Sequence, residues 1–495
     1  MRELSNFIGG SWVAGSGERF RSRDPFRNED VAEAPVSGPG DVEAAVASAR
    51  RAFASGPWPR LRGAERARAL LALADALEAH ERVAGETIAR EMGKPIRIAR
   101  GREVAGAIDR LRYAAGAARL LEGRVTAAAV PELWDLETPE PIGVCALIIP
   151  WNDPIDLAVR KLGAALAVGC SVVVKPSEIT PSSTSLVVEL AHGTGLFPDG
   201  VVNLVHGPGD PTGELLVSHP GVDKISFTGS TATGMRIMEL AARRLAKVSL
   251  ECGGKAPAIV FADADLDRCA DALSYGAFMY GGQSCTACTR LIVEDAVHND
   301  LVEAIAARST ALATGDPLDP EVMIGPMASR PQYEKSLRFL RQGLADGGRA
   351  AIGGREGGDD LFLEPTVLVD VLAGSDITRE EIFGPILAVH RFKEEAEALA
   401  LANATPYGLG GSVWSQDVSR ALRVARSLDV ADVWVNTYYV RHAETSFGGR
   451  HLSGIGRELG MAGLEEYVAW KRVCIDTRDS FHLRDWFERN EDFRG

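Results

Sequence analysis

The stretch Gly281-Gly282-Gln283-Ser284-Cys285-Thr286-Ala287-Cys288-Thr289-Arg290 decides how the rest of the chain is interpreted, because it joins two glycines to a thiol and is nearly free of large apolar side chains. Such a segment does not fill a core, and it lets backbone approach a ligand closely. Cys285 stands where the glycine-rich turn is expected to lead into a helix, and a helix N-terminus lowers the pKa of a thiol. We therefore treat Cys285 as a candidate nucleophile.

Two other interpretations of this stretch remain open on the residues alone. A single cysteine is most often a small buried hydrophobic side chain. The pair Cys285 and Cys288 also has the spacing of a redox motif, although no thioredoxin-like pattern surrounds it.

A second motif lies upstream, Leu250-Glu251-Cys252-Gly253-Gly254-Lys255, in which a carboxylate is followed one residue later by two glycines. The two motifs, in this order and at this spacing, resemble those of the aldehyde dehydrogenase superfamily, in its NAD(P)-dependent, non-phosphorylating form. In that family the Cys of G-Q-x-C is the nucleophile and the Glu of L-E-x-G-G-K is the general base. The resemblance therefore implies these roles for Cys285 and Glu251.

The resemblance runs from about Phe7 to Lys471, nearly the whole chain. Five further motifs carry it, in the family's order: Pro150-Trp151-Asn152, Lys175-Pro176-Ser177-Glu178, Phe227-Thr228-Gly229-Ser230, Glu381-Ile382-Phe383-Gly384-Pro385 and Phe447-Gly448-Gly449.

The implied chemistry begins when a Cys285 thiolate adds to an aldehyde carbonyl. The resulting oxyanion needs fixed donors, and the side-chain amide of Asn152 and the backbone N–H of Cys285 resemble them. Hydride transfer to nicotinamide leaves a thioester, which Glu251 would hydrolyse by activating water. Each residue also has an ordinary structural interpretation, because Asn152 could cap the next helix and Glu251 could be a solvated carboxylate at a strand end.

The resemblance also implies a dinucleotide site. Lys175 and Glu178 resemble the pair that binds the adenosine ribose, and a carboxylate there favours NAD, with NADP still possible. Gly229 to Gly234 is expected to open a helix whose N–H groups face the pyrophosphate, whereas Gly209 and Gly213 lie either near the adenine or in ordinary turns. The complete expected cofactor set is Trp151, Lys175, Ser177, Glu178, Gly209, Gly213, Phe227, Gly229, Ser230, Glu381 and Phe383.

Four positions depart from the family pattern, namely Asp153, Cys252, Ala232 and His451, and they leave the substrate open. The expected substrate-binding set is Asp153, Arg160, Arg102, Arg441 and Phe447. Because arginine pairs well with carboxylates, this set favours a polar or carboxylate-bearing aldehyde such as a semialdehyde. The alternative is that these arginines pair with nearby carboxylates, as Arg160 would with Asp156 or Asp153.

Composition narrows the range of partners. The net charge of −14 argues against nucleic acid, and no cluster has the spacing of a metal site. Seven scattered cysteines favour a reducing, cytoplasmic location rather than a disulfide framework. The N-terminus lacks a signal-peptide pattern, and the longest apolar run, Leu162 to Val174, is too short to span a bilayer.

Apolar strands alternate with helices, which predicts an α/β protein with two doubly wound domains, one Rossmann-like and one catalytic, plus a small β extension for oligomerisation. We expect the dinucleotide-binding domain at 1–122 and 142–252 and the catalytic domain at 253–452. Segments 123–141 and 453–480 are expected to bridge subunits of a homodimer or homotetramer, and 481–495 forms a charged tail.

Three other functions are compatible with the same scaffold. A relative that passes the acyl group to coenzyme A does not need Glu251. A non-catalytic NAD-binding protein would often lack the nucleophile, and a thiol esterase would act without NAD. The sequence keeps Cys285, Glu251 and Asn152, which favours the hydrolytic dehydrogenase.

Overall fold

Five parallel strands form the centre of an eight-stranded sheet, and four of them are buried along their whole length, as in sheets covered on both faces. The computed structural model describes residues 1–127, 132–355, 358 and 360–478, so the expected tail at 481–495 lies outside the described residues. Across the sheet the strands are Gly454–Ile455, Lys247–Glu251, Lys224–Thr228, Val144–Ile148, Ser171–Lys175, Val202–Leu204, Asn6–Ile8 and Ser11–Val13.

A second sheet has seven strands, all parallel to their neighbours except the first pair, which is antiparallel. In order they are Arg349–Ile352, Thr366–Val369, Ile386–Phe392, Cys288–Glu294, Ala256–Val260, Gly410–Trp414 and Asp432–Val435. The two sheets and their helices give the predicted mixed α/β fold.

Helices cover both sheets, and in the described part of the chain none is long and apolar enough to cross a bilayer. The longer ones are Pro39–Ala54, Gly63–Ala79, Glu81–Met92, Ala105–Ala117, Pro154–Val168, Pro181–Gly193, Thr231–Ala242, Leu266–Phe278, His298–Thr310, Arg330–Ala345, Glu395–Asn403 and Val418–Ser427. The shorter ones are Ile96–Ile98, Glu214–Ser218, Asp376–Arg379 and Gly460–Glu465.

Three small sheets complete the structure. An antiparallel extension contains Val468–Asp476, Leu133–Pro141 and Arg124–Ala127, and residues 128–131 of its expected hairpin lie outside the described residues. The other two contain Arg2–Glu3, Glu29–Pro35 and Arg19–Asp24, and Tyr407–Gly408 with Arg450–His451.

Two N-terminal elements have irregular features. Asn6–Ile8 extends the eight-stranded sheet, where the buried Phe7 pairs with Leu204. The helical segment that begins at Ile96 contains a π-helical stretch, Ala99–Val104, and its last part ends at Ala117.

The chain passes from the first sheet to the second through one short connection. Strand Lys247–Glu251 ends the parallel set of the first sheet, and Ala256–Val260 begins in the second. The four residues between them are Cys252-Gly253-Gly254-Lys255. This part of the predicted motif is therefore the joint between the two sheets.

The N-terminus of helix Pro181–Gly193 is capped by the buried carboxylate of Glu91. Its oxygens accept hydrogen bonds from the backbone N–H groups of Ser182 (2.7 Å) and Ser183 (2.9 Å) and from the Ser183 hydroxyl (2.7 Å). Glu91→Ala leaves these buried donors unpaired, so we expect the free energy of unfolding to fall by about 2 to 3 kcal/mol, measured from urea unfolding curves.

Glu86→Ala is the matched control, because Glu86 lies on the same helix in an exposed ion pair with Arg82 (2.7 Å). Exposed pairs contribute little, so this change is expected to cost about 0.5 kcal/mol or less. Equal losses in the two variants would contradict the capping role of Glu91.

Candidate active site

One cleft of about 790 Å³ lies at the carboxyl ends of the parallel strands, where open α/β sheets bind their ligands. It gathers residues that the sequence predicts to be catalytic, to bind the cofactor and to bind the substrate. Those that line it are Trp151, Asn152, Asp153, Arg160, Gly229, Ser230, Glu251, Cys285, Glu381, Phe383, Arg441 and Phe447.

The position of Cys285 depends on glycines. Gly281 and Gly282 adopt φ values of +72° and +67°, which L-residues with side chains rarely tolerate. A Cβ on Gly254 would lie 2.5 Å from the carbonyl oxygen of Cys285, so only glycine fits there. The joint between the sheets therefore packs directly against the loop that carries the thiol.

The structure contradicts the expected helix start and low pKa at Cys285. The thiol lies in a turn, where the Ala287 N–H donates to the Ser284 carbonyl (3.0 Å), and the next element is the strand Cys288–Glu294. Burial raises the pKa of the Cys285 thiol to about 11, although the Arg441 cation opposes this. The resting thiol is therefore protonated at neutral pH and needs a base.

Glu251 is not a solvated carboxylate. Its side chain is buried, and within the described residues neither carboxylate oxygen has a hydrogen-bond partner. Burial raises the pKa of Glu251 well above its usual range, and the neighbouring Glu458 raises it further. A raised pKa makes the ionised form of this carboxyl group a stronger base than that of an exposed glutamate.

Asn152 does not cap the following helix. The N-cap of Pro154–Val168 is Asp153, and Asn152 is buried in the turn before it. The Asn152 side-chain amide donates to the Gln283 carbonyl (3.3 Å), on the loop that leads to Cys285. Its donor group therefore faces the thiol loop, as the oxyanion assignment requires.

A buried lysine that the sequence analysis missed fixes this turn. Lys94 Nζ donates to the Asn152 carbonyl (2.6 Å), to Asp153 Oδ1 (2.6 Å) and to the Glu103 carboxylate. Glu103 in turn accepts from the Ile155 N–H (2.9 Å). The sequence shows only a helix break at Gly93-Lys94-Pro95, and nothing in it indicates contact with residues some 58 positions away.

Glu381 and Phe383 also line the cleft. Glu381 Oε1 accepts from the Gly254 N–H (3.1 Å), and burial raises the pKa of Glu381 while Lys335 opposes the shift. The Phe383 ring meets that of Trp151 edge to face, with centroids 5.3 Å apart. Sequence reasoning missed Lys335 and Gln332, which also line the cleft.

A separate cleft of about 820 Å³ contains four of the expected cofactor residues, Lys175, Gly209, Gly213 and Phe227. Lys175 Nζ donates to the carbonyls of Pro176 (2.8 Å) and Gly207 (2.7 Å), and burial lowers its pKa to about 8.

The helix expected to open at Gly229 to Gly234 is confirmed, since Ser230 caps Thr231–Ala242 by accepting from the Thr233 N–H (3.2 Å). Ser177 and Glu178 follow the strand of Lys175 but do not line the separate cleft. Ser177 accepts from the Ile179 N–H (3.2 Å), whereas Glu178 is exposed.

Arg102 does not reach the main cleft and lines an outer cavity of about 770 Å³ beside it. Arg160 pairs with Asp156 (2.7 Å), as the alternative interpretation expected, but the pair is buried rather than on the surface. Arg441 lines both spaces.

A cysteine thiol and a buried carboxyl group share a cleft at the carboxyl ends of a parallel sheet, an arrangement typical of enzymes that use covalent catalysis. The profile of the aldehyde dehydrogenase family matches residues 12–473. The chain therefore belongs to the aldehyde dehydrogenase family.

Full-length relatives agree with this assignment. The chain is 37% identical to a betaine aldehyde dehydrogenase of Bacillus subtilis, over 97% of this chain and 99% of the relative, and 38% identical to human aldehyde dehydrogenase 1A1, over 95% and 94%.

Among solved structures, an NAD-dependent aldehyde dehydrogenase from Sinorhizobium meliloti is 40% identical, with a TM-score of 0.95 and coverage of 97% and 96%. A Staphylococcus aureus betaine aldehyde dehydrogenase in complex with NAD⁺ is 35% identical, with a TM-score of 0.94 and the same coverage. The predicted family, fold class and enzyme class are confirmed.

The raised pKa of Cys285 predicts its reactivity in the free protein. Alkylation of Cys285 by iodoacetamide should become faster as the pH rises, and should keep increasing towards about pH 11, because only the thiolate reacts. The rate at each pH is measured by peptide mass spectrometry, which separates Cys285 from the exposed Cys474. A rate that levels off below about pH 8, under the ordinary thiol pKa, would contradict the buried, protonated resting state.

Proposed function

We propose that this aldehyde dehydrogenase oxidises its substrate to a carboxylic acid with NAD, through a thioester on Cys285 that water hydrolyses. The observation that carries the proposal is that Cys285, Glu251 and Asn152 line one cleft, with the thiol half-buried, the carboxyl group buried and the pKa of both raised. The ionised form of a carboxyl group with a raised pKa takes the proton of a thiol more readily than an exposed glutamate does.

In the first half of the reaction, the ionised fraction of Glu251 takes the proton of Cys285, and the thiolate adds to the aldehyde carbon. The oxyanion that forms is stabilised by the amide of Asn152 and the backbone N–H of Cys285. NAD, when bound, accepts the hydride that leaves the tetrahedral adduct.

In the second half, the thioester on Cys285 must be cleaved. Glu251 first releases the Cys285 proton to solvent and then takes a proton from water. The hydroxide that results adds to the thioester carbon and expels the Cys285 thiolate, which takes that proton back from Glu251. The same carboxyl group is suited to both halves, since a pKa raised by burial makes it a stronger base than an exposed glutamate.

The residues present fit NAD. The N–H groups at the start of helix Thr231–Ala242 suit a pyrophosphate. Lys175 and Glu178 are proposed to bind the adenosine ribose, and Glu381 and Phe383 to position the nicotinamide end. The exposed Glu178 is free of ion pairs with other described residues and can turn towards a ribose diol.

We assign residues 1–122 and 142–252 to the dinucleotide-binding domain and 253–452 to the catalytic domain, and we infer a cytoplasmic homodimer or homotetramer. The extension supports an oligomer, because Val468–Asp476 is a long edge strand with partly exposed apolar side chains at Trp470 and Ile475. Free thiols at every described cysteine fit a reducing compartment.

The proposal predicts the effect of removing either reactive group. Cys285→Ala should abolish aldehyde-dependent NADH formation, and Glu251→Gln should lower steady-state kcat by roughly 100-fold or more, since a general base contributes about 10² to 10⁴. NADH is followed at 340 nm with a panel of aldehydes.

Cys288→Ala is the matched control, because Cys288 is buried in a strand three residues on and does not line the cleft. It should retain activity. Undiminished turnover in Cys285→Ala would contradict the covalent mechanism. Ester hydrolysis that does not depend on NAD, as the main activity, would indicate an esterase.

The choice of NAD over NADP is predicted to depend on Glu178. Glu178→Gln removes the charge that repels a 2′-phosphate, so kcat/KM with NADP should rise by about tenfold relative to NAD. Glu189→Gln serves as the control, because Glu189 pairs with Arg2. An unchanged ratio of the two cofactors in Glu178→Gln would rule out this role.

A further inference from the structure

The outer cavity is adjacent to the main cleft. Asp153, Arg160 and Arg441 line both the outer cavity and the main cleft that contains Cys285. The far end of a molecule whose aldehyde carbon lies at Cys285 is therefore within reach of groups at the boundary between the two spaces. The charged groups that line the outer cavity therefore influence which aldehydes bind.

Most carboxylates of the outer cavity are already paired. Asp156 lies between two guanidinium groups, those of Arg110 (2.7 Å) and Arg160 (2.7 Å). Asp153 and Glu103 both pair with the buried Lys94. The remaining carboxylate, Asp109, is exposed at the rim.

Two arginines of the same cavity have no carboxylate partner within ion-pair distance among the described residues. Arg441 donates to the Thr286 hydroxyl (2.5 Å), and its buried Nε has no hydrogen-bond partner. Arg102 lies over the ring of Tyr439, with 4.8 Å from the guanidinium carbon to the ring centroid. Both guanidinium groups therefore keep donors available to a ligand.

Arg441 is also held in place by aromatic contact. Its guanidinium carbon is 4.2 Å from the centroid of the Phe447 ring and 5.9 Å from that of Trp434. Such stacking fixes the plane of the guanidinium and reduces the entropy lost when it binds a planar anion.

We propose that Arg441 and Arg102 bind an anionic group, a carboxylate, at the far end of the substrate, and so make the enzyme selective for aldehydes that carry a carboxylate. The inference rests on the proposed function of the main cleft. An aldehyde carboxylate supplies the partner that both guanidinium groups lack, and it can accept from one arginine in bidentate fashion.

The same charges reject other aldehydes. A neutral aldehyde leaves the two guanidinium groups unpaired, and a cationic aldehyde meets them with like charge. The betaine aldehyde dehydrogenases to which the chain is similar are thus expected to differ from it in substrate, despite the common fold.

The test compares aldehydes of matched length with the complete enzyme and NAD. The pairs are 4-oxobutanoate with butanal and 6-oxohexanoate with hexanal, and trimethylammonioacetaldehyde is the cationic member. We expect kcat/KM for at least one carboxylate-bearing aldehyde to exceed that of its neutral partner by about tenfold or more, and the cation to be the poorest substrate.

Substitutions test whether the two arginines cause the preference for anionic aldehydes. Arg441→Gln and Arg102→Gln should each reduce the ratio of kcat/KM for the anionic over the neutral aldehyde by about tenfold, mainly through KM. Arg441→Lys keeps the charge and should retain part of the preference. Arg100→Gln is the matched control, since Arg100 lies on the same helical segment but pairs with Glu81 outside the cavity, and its ratio should be unchanged.

Two results would overturn the inference alone, namely equal kcat/KM within both matched pairs, or an anionic preference that survives in both Gln variants. Absence of NADH formation with every aldehyde would overturn the proposed function as well. Thermal unfolding midpoints and NAD binding of each variant show whether a lost preference comes from lost folding. If a Gln variant does not fold, the ratio of kcat/KM measured for Arg441→Lys tests the role of Arg441.

Discussion

The close packing of Gly254 against the carbonyl of Cys285 is the constraint on which the rest of the site depends. This contact lies in the four-residue joint between the two sheets, so it fixes the strand end of Glu251 relative to the loop of the thiol. Gly253 adds a second contact, because a Cβ there would overlap the Glu381 carboxylate. The glycines of the motif therefore bring three functional side chains together.

Burial of the two proposed reactive groups has a cost in stability. It raises the pKa of Glu251 well above its usual range and that of Cys285 to about 11. A group whose pKa is raised on folding stabilises the folded state at low pH, and that contribution is lost as the pH rises through the raised value. The unpaired carboxyl group of Glu251 therefore does not stabilise the fold as a paired carboxylate would.

Most buried charged side chains around the site form ion pairs. The buried Lys94 pairs with both Asp153 and Glu103 and donates to the backbone carbonyl of Asn152. Arg160 and Lys161 approach Glu458, which in turn raises the pKa of Glu251. At the outer cavity, which a substrate would enter, Arg441 and Arg102 have no carboxylate partner within ion-pair distance among the described residues. The protein thus keeps its unpaired positive charge where a ligand can use it.

Alternating apolar runs predicted the fold class, and the motifs that resemble the family predicted twelve of the residues that line the main cleft. It failed at Cys285, where glycines suggested a helix start but the following Cys288–Glu294, rich in β-branched residues, forms a strand. It could not show Lys94 or Glu458, since their roles arise from contacts with residues distant in the chain. The placement of Ser177 and Glu178 outside the separate cleft likewise depends on loop geometry that no motif encodes.

The central claim is that Glu251 serves the thiol of Cys285 across the joint between the sheets. Intact-mass measurement of the Glu251→Gln protein, mixed with aldehyde and NAD, tests it most directly. The account predicts that acylation of Cys285, located by peptide mapping, is slow at neutral pH and faster at higher pH, where the thiol ionises without a base. The acyl adduct should then persist, because no base activates water, so NADH formation stops after one equivalent. Steady NADH production with no acyl adduct would contradict it.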